Sequence, residues 1–366
     1  MMTRNLLLCS GAAVAAFLAG CALYHPPPPV AFTAAATADR LAAGKRLTQL
    51  MCAECHDDPA TSKRTGIRIK AAPGFVGTVY SRNLTQHPEQ GIAGYPDGEL
   101  AYLLRTGVSR DGRLMPYMQK LLLADEDLQA IIAFLRSDDA LVAPSDVEPP
   151  PTRYTPLGWL SLRWFSPPLP YPSERIPKPD PANELAHGRY LVANVGCFEC
   201  HSASVTGIDR MEPEKSAGYM GGGNELRDAE SQPIYAPNLT FHDTGLAGWS
   251  EQDFIKAIKT GVSRDHSILR YPMPSYAELT HEEATAIFQS LKSLLPINRE
   301  VKRMKPVDMA RAASAGLDAP LAEGKKHYQQ YGCGACHGQE RVAVGDLRKA
   351  SVKYTDQQLQ AYIANP

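Results

Sequence analysis

The chain has 366 residues, 44% of them hydrophobic and 21% charged, with a formal net charge of -1. This is ordinary globular composition, long enough for two or three domains, and it excludes a fibrous or wholly disordered protein. The near balance of 38 basic and 39 acidic side chains leaves no basic footprint, so nucleic acid is not an expected partner.

At the amino terminus, Arg4 and the apolar stretch from Leu6 to Leu18 read as an export signal over residues 1–20, too short for a comfortable bilayer span. Leu18-Ala19-Gly20-Cys21 matches a bacterial lipobox. Cys21 is therefore the expected lipidation site, which places the protein in the cell envelope, facing the periplasm and anchored to a membrane by lipid. Residues 21–36 form a tether containing Pro26 to Pro29, and polyproline is stiff enough to hold the following body off the membrane.

Of eight cysteines, Cys9 and Cys21 fall in the export region and the other six form three pairs, each followed at once by histidine. The motifs are Cys52-Ala53-Glu54-Cys55-His56, Cys197-Phe198-Glu199-Cys200-His201 and Cys333-Gly334-Ala335-Cys336-His337. On a helical turn, positions three apart put both thiols on one face, where they form thioethers with the two vinyl groups of a haem. The next residue then presents its imidazole to the iron. The expected cofactor is haem c, three copies, held by Cys52, Cys55, Cys197, Cys200, Cys333 and Cys336, with His56, His201 and His337 as proximal ligands. A zinc site or a redox disulfide would also use Cys-x-x-Cys. Neither explains a histidine after every pair, and no second Cys pair or recurring His partner completes a zinc site.

The flanks of the motifs repeat. Leu41-Ala42-Ala43-Gly44, Leu185-Ala186-His187-Gly188 and Leu321-Ala322-Glu323-Gly324 each precede a motif, with the glycine placed to let another helix approach closely. Downstream, Asn83-Leu84-Thr85 matches Asn238-Leu239-Thr240, and Gly107-Val108-Ser109-Arg110-Asp111 matches Gly261-Val262-Ser263-Arg264-Asp265. Both Asn-Leu-Thr triplets fit a glycosylation pattern, but their recurrence in an exported bacterial chain favours a structural loop. His87 and His242, which also recur, are expected in that surface loop and not on iron.

Two full units result, over residues 37–140 and 183–296. In the first, Asp125 opens a closing helix with Leu128, Ile131, Ile132 and Leu135 on its apolar face. In the second, Ser250 with Asp253 and Thr280 with Glu283 resemble capping boxes, and Gly261 ends the helix carrying Phe254, Ile255 and Ile258. The final helix there buries Ala284, Ile287, Phe288 and Leu291. Each closing helix is expected to pack on the helix before its haem motif.

An extended loop before each closing helix holds Met115-Pro116 and Met273-Pro274. Thioether sulfur favours reduced iron, so Met115 and Met273 are the expected distal ligands, with Met118 a neighbouring competitor in the first unit. Residues 141–182 are proline-rich and read as a linker. They carry Trp159, Trp164 and Phe165, which are costly to leave exposed and so lie along the units or dock on a partner. A second linker covers 297–319. Residues 320–366 begin a third, partial unit in which Tyr354 to Leu359 align with Trp249 to Phe254, with no methionine or histidine after His337. Its iron is expected to lack a methionine from its own unit, with Lys349, Lys353, Met304 and Met309 as the other candidates.

The architecture these patterns predict is all-α, with two complete tandem domains and a third incomplete one joined by proline-rich linkers, and each unit resembles class I cytochrome c. With Gly-Val-Ser-Arg-Asp ahead of the methionine loop, the two full units resemble the multihaem cytochrome c subunits of membrane-bound alcohol and gluconate dehydrogenases. The resemblance implies electron transfer from a dehydrogenase donor toward quinone or a terminal oxidase. His/Met ligation closes both axial positions, so the chain is not expected to be an enzyme by itself. The alternative is a haem enzyme of the peroxidase or thiosulfate-oxidising type, or a small-ligand sensor, using an open third haem.

Overall fold

The computed structural model describes Tyr24, Pro28 and residues 30–302 except 229–231 and 266–268. The expected export signal, Cys21, and the third motif with Cys333, Cys336 and His337 lie outside the described residues.

Helix ends follow local chemistry. Helix α1 (Ala38–Met51) is capped by Thr37, whose side chain accepts from the Arg40 N–H, and α2 (Ala53–His56) follows after Cys52. Helix α3 (Asp97–Thr106) stops at Gly107, whose φ of 81° is a conformation only glycine adopts cheaply, and α4 (Asp125–Leu135) closes the first unit. In the second unit α6 (Glu184–Val195) turns through Gly196 into α7 (Cys197–His201). Helices α8 (Glu251–Thr260) and α9 (His281–Lys292) both begin with complete capping boxes, at Ser250/Asp253 and Thr280/Glu283.

The two helix crossings explain the repeated glycines. A Cβ on Gly44 of α1 would stand 1.9 Å from the Ala130 carbonyl oxygen of α4, and one on Gly188 of α6 would stand 2.0 Å from the Ala286 oxygen of α9. No larger residue permits either approach. Around α1 and α4 an apolar cluster gathers Leu47, Leu100, Leu128, Ile131, Ile132 and Phe134. A second cluster gathers Leu191, Val192, Phe254, Ile258, Ile287, Phe288 and Leu291 around α6 and α9. Every apolar position expected on the closing helices is buried.

The clusters interlock. Leu50 of α1 belongs to the second cluster, while Tyr190 of α6 packs against the first. The Tyr190 hydroxyl donates to Asp127 Oδ2 at 2.6 Å and accepts from the Ala124 N–H at 3.1 Å. Arg46 of α1 forms a two-pronged pair with Glu283 of α9, at 2.7 and 2.9 Å.

Two features depart from a purely helical, linker-joined chain. Short strands β1 (Arg68–Ile69), β2 (Gly77–Tyr80) and β3 (Arg153–Tyr154) form an antiparallel sheet in that order, and β4 (Glu225–Arg227) pairs with β5 (Pro233–Tyr235) as a hairpin. The segment read as a linker, 141–182, contributes β3 and also a ten-residue helix, α5 (Pro156–Phe165). Proline breaks helices from the inside, but Pro156 sits at the first helical position and Thr155 caps it by accepting from the Gly158 N–H. Beyond α5 the segment is fastened to the first unit. Leu169 donates its N–H to the Thr106 carbonyl at 3.1 Å, the Ile176 carbonyl accepts from Asp125 at 2.9 Å, and Tyr171 stacks on Tyr102.

The expected tether is also fastened. Tyr24 donates its N–H to the Gly112 carbonyl at 2.8 Å, and the Ala34 N–H reaches Asp97 Oδ2 at 3.1 Å. Described residues on either side of the polyproline run, Tyr24 and Ala34, are thus both bonded to the first unit. Among the described residues no helix is long and apolar enough to cross a membrane.

Candidate haem sites

In each unit the cysteine pair and histidine occupy one short turn. Cys52 ends α1 with its N–H on the Thr48 carbonyl, and the Cys52 carbonyl in turn accepts from His56 at 2.9 Å. Cys197 to His201 form α7, entered through the left-handed Gly196. All four cysteines are free thiols. Burial pushes Cys55 and Cys197 up to about 11 and Cys200 up to about 12, and raises Cys52. Such thiols stay neutral, unlike the low-pKa cysteines of redox disulfides. Among the described residues no group of three or more His, Cys, Asp or Glu is placed to hold a metal ion by itself.

The histidines are the best-defined part of the sites. Both are buried, and burial lowers both, His56 to about 4. His56 Nδ1 lies 2.8 Å from the Arg82 carbonyl oxygen and His201 Nδ1 lies 3.0 Å from that of Pro237. A carbonyl oxygen only accepts, so each Nδ1 carries the proton and each Nε2 presents a lone pair. That is the tautomer an iron ligand needs, with its ring orientation fixed from behind.

The carbonyls belong to the residues immediately before the two Asn-Leu-Thr triplets, and the triplets hold them still. Asn83 Nδ2 donates to the Ser145 and Val147 carbonyls while its Oδ1 accepts from Thr85 N–H. Asn238 does the same with the Ile297 carbonyl and Thr240 N–H. Each triplet ties the loop behind the histidine to the chain after the closing helix. His87 and His242 lie beside them and accept turn N–H groups through Nδ1, from Gln90 and from Thr244.

The methionine loops leave α3 and α8 in matching ways. The Gly107 carbonyl accepts from the Met115 N–H, and the Gly261 carbonyl accepts from the Leu269 N–H. At the other end Lys120 N–H bonds to the Leu104 carbonyl and Tyr276 N–H to the Ile258 carbonyl. Met273 therefore stands three residues before its exit bond, Met118 two before its own, and Met115 five. All three are partly buried.

The sites are close neighbours. Lys120, just after the first methionine loop, donates through Nζ to the Asn194 carbonyl at 2.9 Å, near the end of the helix leading into the second motif. The Cys200 thiol is raised chiefly by burial and additionally by Glu199, Cys197 and Cys55, the last from the first motif. Sequence patterns alone give no hint of Lys120, because its role depends on the packing of one unit on the other. Arg82 and Pro237 are also silent as residue types, although the recurring triplet after each marks the place.

The donor set fits covalently attached haem: paired neutral thiols and an Nε2-presenting imidazole on one turn, twice. In the first site Arg64, fully buried, pairs through Nε with Asp57 at 3.1 Å and leaves Nη1 without a hydrogen-bond partner among the described residues. These features define a c-type cytochrome, and comparison with known proteins agrees. The chain is 30% identical over 296 residues to the cytochrome c subunit of alcohol dehydrogenase (quinone) from Gluconobacter oxydans (strain 621H), a match over 77% of this chain and 59% of the relative. It is 30% identical over 267 residues to the gluconate 2-dehydrogenase cytochrome c subunit of Pantoea cypripedii, covering 66% of this chain and 56% of that one. A dihaem c-type cytochrome of Cereibacter sphaeroides is 27% identical over 257 residues, 66% of this chain and 81% of the relative. No family model matches. The chain is thus similar over most of its length to proteins named as cytochrome c subunits, a likeness that implies covalently bound haem c, and it spans between half and three fifths of the length of the two dehydrogenase subunits.

Proposed function

We propose that the chain is a lipid-anchored electron-transfer cytochrome with haem on each of its three motifs, relaying electrons from a dehydrogenase toward quinone or a terminal oxidase. The pair of buried histidines, each with Nδ1 committed to a carbonyl, carries the reading. His56 and His201 serve as proximal ligands in two tandem cytochrome c domains, with thioethers at Cys52, Cys55, Cys197 and Cys200, and Cys333, Cys336 and His337 do the same for a third. Bound haem supplies a one-electron couple; the protein orients the ligand ring, excludes water and brings two sites side by side. Cys21 carries the lipid.

Met273 is the distal ligand of the second haem. In the first, the backbone bonds that open and close the loop favour Met118 over Met115, because Met118 sits nearest the register of Met273. Alkaline pyridine spectra of the full chain should give three haems per chain, falling to two in the Cys333→Ser/Cys336→Ser variant; two in both would remove the third haem from the proposal. Near-infrared magnetic circular dichroism should lose one methionine-to-iron signal in Met118→Ala and keep it in Met115→Ala. The reverse would restore Met115.

A further inference from the structure

Helix α5 carries an apolar stripe that stands exposed among the described residues. Leu157, Leu160 and Trp164, at spacings of three and four, are 61%, 47% and 75% exposed. The helix cannot roll to hide them. On its other side Gly158 is pressed so tightly on the loop before β2 that a Cβ would stand 2.3 Å from the Val76 carbonyl oxygen, and Thr155 N–H bonds to that same oxygen. Phe75, 40% exposed, borders the helix start, where the Thr155 hydroxyl bonds to its carbonyl. Arg153 and Arg163, both exposed, stand near the two ends of the helix.

What meets this stripe is indicated by the amino terminus. The Arg163 guanidinium lies over the Tyr24 ring, 4.5 Å from its centroid, and the Tyr24 N–H is bonded to the body at Gly112. Cys21 is three residues earlier, so the chain can carry it at most roughly 11 Å from Tyr24. A lipid on Cys21 therefore brings the bilayer surface to α5, with little room for a protein between. An exposed Leu/Leu/Trp stripe edged by arginines is the composition that settles at a lipid interface, with Trp at headgroup depth and guanidinium on phosphate.

We infer that α5 lies on the membrane surface with Leu157, Leu160 and Trp164 set into the lipid, making a second contact beside the Cys21 anchor and fixing how the haem units face the bilayer. The inference rests on the proposal that Cys21 is lipidated, and its test separates the two. A nitroxide is placed at Trp164→Cys in the full haem-loaded chain, with Glu225→Cys as the exposed control, on vesicles of phosphatidylethanolamine and phosphatidylglycerol. The mass of the amino-terminal peptide reports the lipid, and an unchanged haem spectrum reports folding. The label at 164 should gain collisions with oxygen and lose access to a water-soluble nickel chelate on vesicles, while the label at 225 stays open. Lipid present with the 164 label still open to nickel overturns the inference and leaves the anchor standing. A 164 label already shielded without vesicles also overturns it, because protein would then cover the stripe. A shielded label on vesicles with no lipid on Cys21 upholds the helix contact and removes the anchor.

Discussion

Two residues before the glycine that ends its helix, each unit places a cation, and the two cations differ in reach. In the first unit buried Arg105 donates through Nη1 to the carbonyls of Lys120, Leu121 and Leu123, and through Nη2 to Asp125 at 2.6 Å. In the second, Lys259 Nζ reaches one target, the Leu279 carbonyl, at 2.5 Å. Leu123 and Leu279 hold equivalent places just before the closing helices. The shared task is to pin the exit of the methionine loop. A guanidinium with five donors pins a whole turn of it, whereas an ammonium pins one carbonyl. The second loop is followed by the capping box at Thr280, whereas the closing helix of the first unit has no side-chain cap.

The strongest way to break the symmetry is at the helix crossings. Gly44→Val or Gly188→Val should cost at least about 3 kcal/mol, because the added side chain meets backbone that cannot retreat. Urea unfolding followed at the haem bands would show it, and unchanged midpoints would mean that the crossings do not pack as described. Next comes the cation comparison. Arg105→Met should destabilise by about 3 kcal/mol, since several buried carbonyls and Asp125 lose their partner together, and Lys259→Met by about 1 kcal/mol. Equal losses would show that the clamp in the first unit is redundant. The smallest effect belongs to the pair across the units: Arg46→Ala should cost about 1 kcal/mol, and the loss should shrink in high salt. A loss insensitive to salt would point to packing in place of charge.

Much of this was legible in the residues. The motifs, the crossing glycines, the capping boxes and the apolar faces of α4, α8 and α9 all follow from rules that act within a turn or two of chain. Helix α5 was hidden because proline content argues for extended chain, and only its position at the first helical residue makes Pro156 compatible with a helix. The register of the first methionine loop was equally hidden: Met-Pro recurs in sequence, but the backbone bonds to Gly107 and Leu104 that set the loop are announced by no side chain. The carbonyls behind His56 and His201 could be located only through the triplets beside them.

The exchange of Leu50 and Tyr190 between the two apolar clusters bears on assembly. For a chain delivered amino terminus first, α1 is available before α6 emerges, and Leu50 of α1 is one of the residues that complete the second cluster. Maturation then has a direction: ordering of the helix ahead of Cys52 supplies a wall that the helix ahead of Cys197 needs. A defect confined to the first motif should for that reason also lower the yield of the second, whereas the opposite dependence runs mainly through the Tyr190–Asp127 hydrogen bond.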